Sequence, residues 1–478
     1  MNLSLPRLRL PVLPSRRELW RTWHDRQFWL RVVVVLLVLS SSALLAPRAP
    51  LLLLIAVAGA AGFILLLRWP GLGLVGLIAA AMIVPFEIGT GSESSLNAPL
   101  IMAPALVGIW LLTTLVRRRQ VRILASRAVL AALALAASAV LAFGVGQLNW
   151  VALAQPAPLT AQIGGLALFI VSAAAFVLAA YQVKEMQTLQ WMTWLFLALA
   201  ALYITFRVAP PLARLIPIRL AEGAAGSLFY VWLTVLAASQ ALFNSTLRWW
   251  ARVGCGILAA LTLAVGLILG RSWSSGWLPP LVALTVMIWV ARPRIGTIIA
   301  IPVAIVGFYF YTDVSSVLLK GNEYSLLTRM EAWSILVELI SVNPVTGLGP
   351  ANYYWYTPLY AILGYFVQFN SHNNYIDIIA QSGLLGFGCF VWLVFELFVL
   401  GWRLRTTVAA GFARAYVYAA LGGLAGMLAA GMLGDWIIPF VYNIGFTGFR
   451  SSVLGWIFLG GLVALDFMTQ RKMRLSSD

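Results

Sequence analysis

Charge is scarce in this sequence. Only 10% of its 478 residues are charged while 62% are hydrophobic, which excludes an ordinary soluble protein with its roughly 25% charged residues. Cysteine is scarcer: Cys255 and Cys389 both lie inside apolar runs, so no disulfide framework and no Cys-rich metal site is readable, and both read as packing residues. There are two histidines, His24 and His372, and no Asp-x-Asp pair, so metal-ligand spacing is lacking too. No small-residue cleavage pattern follows the first apolar run. Alternating ten-residue segments are absent, which argues against an outer-membrane barrel, and no internal repeat is visible.

Apolar blocks of roughly 17–25 residues, the length that crosses hydrocarbon as helix, make up most of the chain. They fall at 31–46, 50–67, 71–86, 100–116, 128–146, 163–181, 189–206, 226–246, 252–269, 276–291, 295–312, 375–401, 412–434 and 450–468. The short connections predict an all-α integral membrane protein, a polytopic helical bundle of about 12–14 transmembrane helices with one large extracytoplasmic loop containing short amphipathic helices. The expected divisions are a basic amphipathic cytoplasmic segment at 1–30, a transmembrane bundle at 31–312, the loop at 313–374, C-terminal transmembrane helices at 375–468 and a cytoplasmic tail at 469–478.

The formal charge of +17 would point to nucleic acid in a soluble chain, but in a polytopic one it chiefly fixes orientation. With both termini placed in the cytoplasm, roughly three quarters of the Lys and Arg residues fall on that side. The remainder, Arg48, Arg207, Arg214, Arg219, Arg271, Lys320, Arg329 and Arg450, are assigned outside. Of these, Arg207, Arg214, Arg219, Arg271, Arg329 and Arg450 flank outer span ends. Guanidiniums converging there would suit a diphosphate, while each taken alone would equally suit snorkelling to headgroups.

Two outer connections are long, 207–225 and 313–374, and long structured connections tend to carry function. In the second, Tyr324 to Leu336 has apolar residues at near-helical spacing and stops before Asn343-Pro344, which predicts an interfacial amphipathic helix. The stretch Gly347-Leu348-Gly349-Pro350-Ala351-Asn352-Tyr353 packs turn formers whose amides could meet an anion or a sugar. Tyr353, Tyr354, Trp355, Tyr356, Tyr360, Tyr365 and Phe366 suit a membrane interface or stacking on sugar faces. His372 stands among capping residues, Asn370, Ser371, Asn373 and Asn374, so its ring is placed at a helix cap or first turn, where a neutral imidazole is favoured; a plain capping histidine is the alternative.

Three elements in order carry a resemblance: Gly270-Arg271-Ser272, then Arg329-Met330-Glu331-Ala332-Trp333 leading to Gly347–Tyr353, then His372-Asn373 followed by Gly383-Leu384-Leu385-Gly386. Over about residues 255–400 the chain resembles the O-antigen ligase and O-antigen polymerase superfamily. It departs where relatives usually show Ser-Arg-Gly, and often Glu at the place of Gln381. The resemblance implies a GT-C-like, metal-independent glycosyltransferase of polysaccharide and lipopolysaccharide biosynthesis, without a cofactor, in the bacterial inner membrane. Its donor would be an undecaprenyl-diphosphate-linked glycan and its acceptor a hydroxyl of a glycolipid or glycan on the extracytoplasmic face. Its implied partners are those substrates and the lipid bilayer, with no nucleic acid.

Carried onto this chain, His372 would be the base and Arg271 the diphosphate ligand, both catalytic. Arg329, Arg207, Arg214 and Arg219 would be further diphosphate contacts, with Asn373, Tyr353 and Asn352 in support. Displacement would be direct and inverting. Glu222, Glu323, Glu331, Asp377 and Asp435 are competing bases without a paired motif, and Asp377 points away from His372 on the helix. A polymerase of the same superfamily and a lipid-linked oligosaccharide flippase are the rival readings. The latter is disfavoured because Glu396 alone lies deep in a span.

Overall fold

Long runs rich in Leu, Ala, Val and Ile, with their backbone groups satisfied internally, become helices almost throughout. The computed structural model describes residues 71–89, 95–118, 126–216, 218–298, 300–301 and 328–477, with Gly62 and Trp69 as single positions. The chain divides into two compact units, 1–70 and 71–478, and the second holds nearly all the described residues. The expected basic segment, the spans at 31–46 and 50–67, most of the span at 295–312 and the first part of the large loop lie outside the described residues.

The helices are α1 (Gly71–Ile83), α2 (Ala98–Arg118), α3 (Arg127–Val145), α4 (Leu159–Gln182), α5 (Met186–Val208), α6 (Ser227–Phe243), α7 (Trp249–Ala264), α8 (Ser274–Ala291), α9 (328–342), α10 (Asn374–Thr407), α11 (Phe412–Leu433) and α12 (Gly445–Ser477). Among the described residues nine helices are long and apolar enough to cross a membrane, and α1 and α6 are shorter apolar helices. The protein is therefore an all-α polytopic membrane protein. A small antiparallel ribbon, β1 (Glu87–Gly89) with β2 (Ser95–Asn97), pairs Ile88 with Leu96. The last helix runs through the expected tail to Ser477.

α12 and α4 are the most deeply buried spans. Their core is aromatic: Phe196 packs edge-on against Phe458 at 5.3 Å, Trp232 lies 5.2 Å from the same ring, and Phe176 meets Trp456 at 6.5 Å. Against α8, α11 presents Gly422 and Gly426. A Cβ at Gly422 would stand 2.5 Å from the Ala283 carbonyl, so the small residues permit the close crossing that dispersion between membrane helices requires. At one end Arg127 pairs with Glu396 at 3.1 Å and Arg403 with Asp466 at 2.7 Å, so the deep carboxylate in α10 is partnered.

Arg450 corrects one expectation. It is fully buried, donating to the carbonyls of Ala80 (3.2 Å), Val84 (2.8 Å) and Phe86 (3.3 Å) and facing Glu87 at 3.6 Å. It joins α12 to the end of α1 and is closed to a ligand, because α1 ends in carbonyls that need donors.

Two features place the large loop. First, α10 breaks at Gly383, whose φ of 67° is open to glycine at little cost. The loop enters this break: Leu348 N donates to Ala380 O (2.8 Å), Gly349 N to Gln381 O (3.1 Å), Leu384 N to Pro344 O (2.8 Å) and Leu385 N to Val345 O (3.1 Å). The Gln381 side chain adds an acceptor for Ala351 N at 3.2 Å. In the Gly347–Tyr353 stretch, whose amides could have met an anion or sugar, those of Leu348 and Gly349 are instead spent on the helix end left open by the break.

Second, α9 buries Ala332, Ile335, Leu336 and Leu339 against Leu348, Tyr353, Tyr356, Ile362 and Phe440. Its apolar stripe therefore serves a core of the loop itself, while Met330 and Val337 remain exposed. The connection between α11 and α12 turns inward to complete that core. Asn374 holds it, donating to Ile438 O (2.7 Å) and accepting from Ile437 N (2.6 Å), and Tyr353 stacks on Phe440 at 4.8 Å.

Candidate active site

His372 sits just before the N-cap of α10. The cap itself is Asn373, whose side chain accepts from Tyr375 N at 3.0 Å. His372 has a φ of 48°, a left-handed conformation that costs a non-glycine residue about 1–2 kcal/mol and so requires support. His372 N donates to Asn370 Oδ1 (3.1 Å) and Asn373 N to Ser371 Oγ (2.9 Å). Ser371 Oγ donates to Asp377 Oδ1 at 2.7 Å, which also takes the Tyr353 hydroxyl at 2.5 Å. From the other side Trp333 of α9 donates its indole N–H to Ser371 O at 2.8 Å. The strained histidine is therefore held from three elements, the pattern expected where geometry serves function.

A cavity of about 390 Å³ opens beside it, lined by residues including Arg329, Tyr354, Gln368, Phe369, Asn370 and His372, a size typical of small-molecule sites. Burial lowers the imidazole's pKa, and the guanidinium of Arg329 lowers it further. Burial also lowers that of Arg329. Desolvation and a like charge thus both favour the neutral ring.

Of the expected diphosphate ligands, Arg329 is brought to His372. Arg271 is exposed at the apex of the turn that follows a π-helical turn, Val265–Leu269, and does not line this cavity. Arg207 ends α5, and Arg214 and Arg219 follow it; all three are exposed. Ring contacts link these turns to the histidine side. Tyr230 lies within electrostatic reach of Arg207 and packs edge-on against Trp273 at 5.8 Å, and Trp273 meets Trp436 at 5.7 Å, next to Asp435.

The supporting residues are closed to substrate. Tyr353 and Asn352 are fully buried. Asn352 donates to Gly146 O and Leu348 O and accepts from Ala157 N, tying the α3–α4 connection to the loop. Burial, with Asp377 beside it, holds the Tyr353 hydroxyl well above its ordinary pKa, so it stays a donor.

Sequence reasoning passed over Asn443 and named Asp435 only as a competing base. Asn443 Nδ2 lies 3.3 Å from His372 Nδ1 and 2.5 Å from Asp435 Oδ1, and Asp435 Oδ2 accepts from Phe440 N at 2.6 Å. Asp435 was visible as an outer carboxylate, but it stands far along the chain from His372 and nothing local pairs them. The signal available was the polar Gly434-Asp435-Trp436 interruption between two apolar spans.

No curated protein matches the chain. Residues 224–391 match the family model described as O-antigen ligase. That stretch runs from just before α6 into α10, through Arg271, Arg329 and His372 in order and past the splice at Gly383. With it the chain carries a domain of the O-antigen ligase superfamily.

Proposed function

We propose that this protein is an O-antigen ligase-like membrane glycosyltransferase. It moves a glycan from undecaprenyl diphosphate to an acceptor hydroxyl on the extracytoplasmic face of the bacterial inner membrane, with both termini cytoplasmic. The observation that carries the reading is a neutral, strained histidine sharing one cavity with an arginine inside an O-antigen ligase domain. His372 takes the acceptor proton as the hydroxyl oxygen attacks the anomeric carbon. The diphosphate leaves from the opposite face with the bonding electron pair, inverting that centre. Arg329, helped by Arg271 and the 207–219 arginines, offsets the charge that develops on the leaving oxygens. No carboxylate nucleophile and no metal ion is needed for such a step.

The test is transfer by purified protein given a lipid-diphosphate glycan and a glycolipid acceptor. His372→Ala should lower turnover by about 10²–10⁴-fold, the usual worth of a positioned base, while donor binding stays within a few-fold. Arg329→Lys keeps the charge but loses the planar fork, so it should be impaired less than Arg329→Ala. Full turnover by His372→Ala would remove the assignment, and carrier movement across liposomes without product would mean transport.

A further inference from the structure

The two ring nitrogens of His372 are not equivalent. Nδ1 faces Asn443 at 3.3 Å, which leaves Nε2 as the nitrogen available to the cavity. Asn443 is exposed, whereas Asp435 beneath it is buried. With the amide nitrogen between them, Asn443 donates one hydrogen to Asp435 Oδ1 and the other to His372 Nδ1. A neutral ring that accepts at Nδ1 must carry its proton on Nε2, and an Nε2 that carries a proton cannot take one from an acceptor hydroxyl. The two ends of an amide are exchanged by a half-turn. Turned over, Asn443 would present its oxygen to both neighbours and accept from a protonated Asp435 and from His372 Nδ1–H. The lone pair would then be on Nε2.

We propose that Asp435 and Asn443 are positioning residues which select the tautomer of His372: a proton on Asp435 turns the Asn443 amide, puts the ring proton on Nδ1 and leaves Nε2 as the base. The proposal rests on the glycosyl-transfer reading for its use, but not for its geometry. In the working state the acceptor's O–H proton passes to Nε2 as its oxygen bonds to the anomeric carbon and the diphosphate departs with the electron pair. The imidazolium so formed keeps its Nδ1–H on Asn443 Oδ1. The Nε2 proton then leaves to water or to the departing diphosphate, and Asp435 retains its own proton throughout.

The surroundings favour this arrangement. Burial raises the Asp435 carboxyl above the usual carboxylate range, partly offset by the Phe440 N–H and the Asn443 amide. Asp377 and Tyr353 are the other titratable groups close to Asp435, from α10 and the loop, and Arg329 from α9 is the charge facing the imidazole. Within the Asp377–Asp435 pair a charge on one disfavours a charge on the other, and Arg329 resists an imidazolium at rest. The Phe440 N–H fixes the far oxygen of Asp435. In Asp435→Asn the new carbonyl would therefore stay on Phe440, and the new NH2 would face Asn443, copying the protonated acid.

With only two histidines in the chain, labelling with 15N-histidine reads the tautomer directly, and His24→Gln leaves His372 alone in the spectrum. Wild-type protein should show Nδ1–H at low pH, once the ring is neutral, and cross to Nε2–H as pH rises through the Asp435 carboxyl's range. Asp435→Asn should hold Nδ1–H throughout, and Asn443→Ala should abolish the crossover. In the transfer assay the wild-type kcat/KM should fall by roughly tenfold per pH unit above that range, while Asp435→Asn stays flat there. Nε2–H at every pH in both proteins, or the same alkaline limb in Asp435→Asn, would overturn the proposal. Should Asp435→Asn not fold, the wild-type titration alone decides: a tautomer that never changes with pH refutes the relay. Failure of the transferase reading would appear separately, as undiminished turnover by His372→Ala with the tautomer crossover intact.

Discussion

Tyr353 shows what a single residue contributes away from the reacting atoms. Its hydroxyl fills one position on Asp377 Oδ1, and Ser371, the residue before His372, fills the other. Tyr353→Phe removes one donor from a buried carboxylate that already has Oδ2 without a hydrogen-bond partner among the described residues. Leaving such a group short costs about 1–3 kcal/mol. Thermal unfolding in detergent should fall accordingly, with turnover affected less, because the Ser371 bond to Asp377 stays in place. An unchanged melting temperature would show that Asp377 finds another donor. Much of this scale was legible in the sequence: a lone histidine beside helix-capping residues is visible without coordinates. The Tyr353–Asp377 and Asp435–Asn443–His372 contacts were not, since side chains far apart in sequence meet only when three connections fold onto one another.

The element that best explains the site is α10, whose break at Gly383 and the loop spliced into it form one unit. A Cβ at Gly383 would stand 2.1 Å from Val345 O, and the φ of 67° would remain strained for any other residue. Gly383→Ala should therefore destabilise the protein by more than about 2 kcal/mol, combining a left-handed penalty with a steric clash. Amide exchange should speed up at Leu348, Gly349, Leu384 and Leu385 ahead of the rest of the bundle, and uniform exchange across all helices would argue against a local splice. The Gly-x-x-Gly that marked the resemblance is thus partly a backbone device. Sequence reading found Gly347 and Gly349 as turn formers but left open what their amides meet, because periodicity cannot tell an amide that meets substrate from one that meets a broken helix. The helix at 328–342 was legible for the opposite reason: a stripe of apolar residues repeats at helical spacing whatever it packs on.

At the scale of the molecule, span positions were the most legible property among the described residues, because hydrocarbon thickness sets helix length and a bilayer excludes open backbone. Basic residues sorted by side gave a topology but not a use for each arginine, and Arg450 is the case in point. Its burial among the carbonyls of Ala80, Val84 and Phe86 joins the last helix to the first described one. Arg450→Met should cost about 3–5 kcal/mol, the usual result of removing one side of a buried charged cluster. It should lower the yield of folded protein without a selective effect on donor affinity. A variant that folds normally but loses donor binding would return Arg450 to the ligand set.

The splice also limits how the loop can move against α10. Four main-chain bonds rivet residues 344–349 to the two halves of α10, and a gate hinged there would have to break them together, at about 1 kcal/mol each. That seam is masonry rather than a door. The cavity beside His372 takes its lining instead from α9, Tyr354 and the 362–372 stretch, in which Tyr365 and Phe366 stand out in the open.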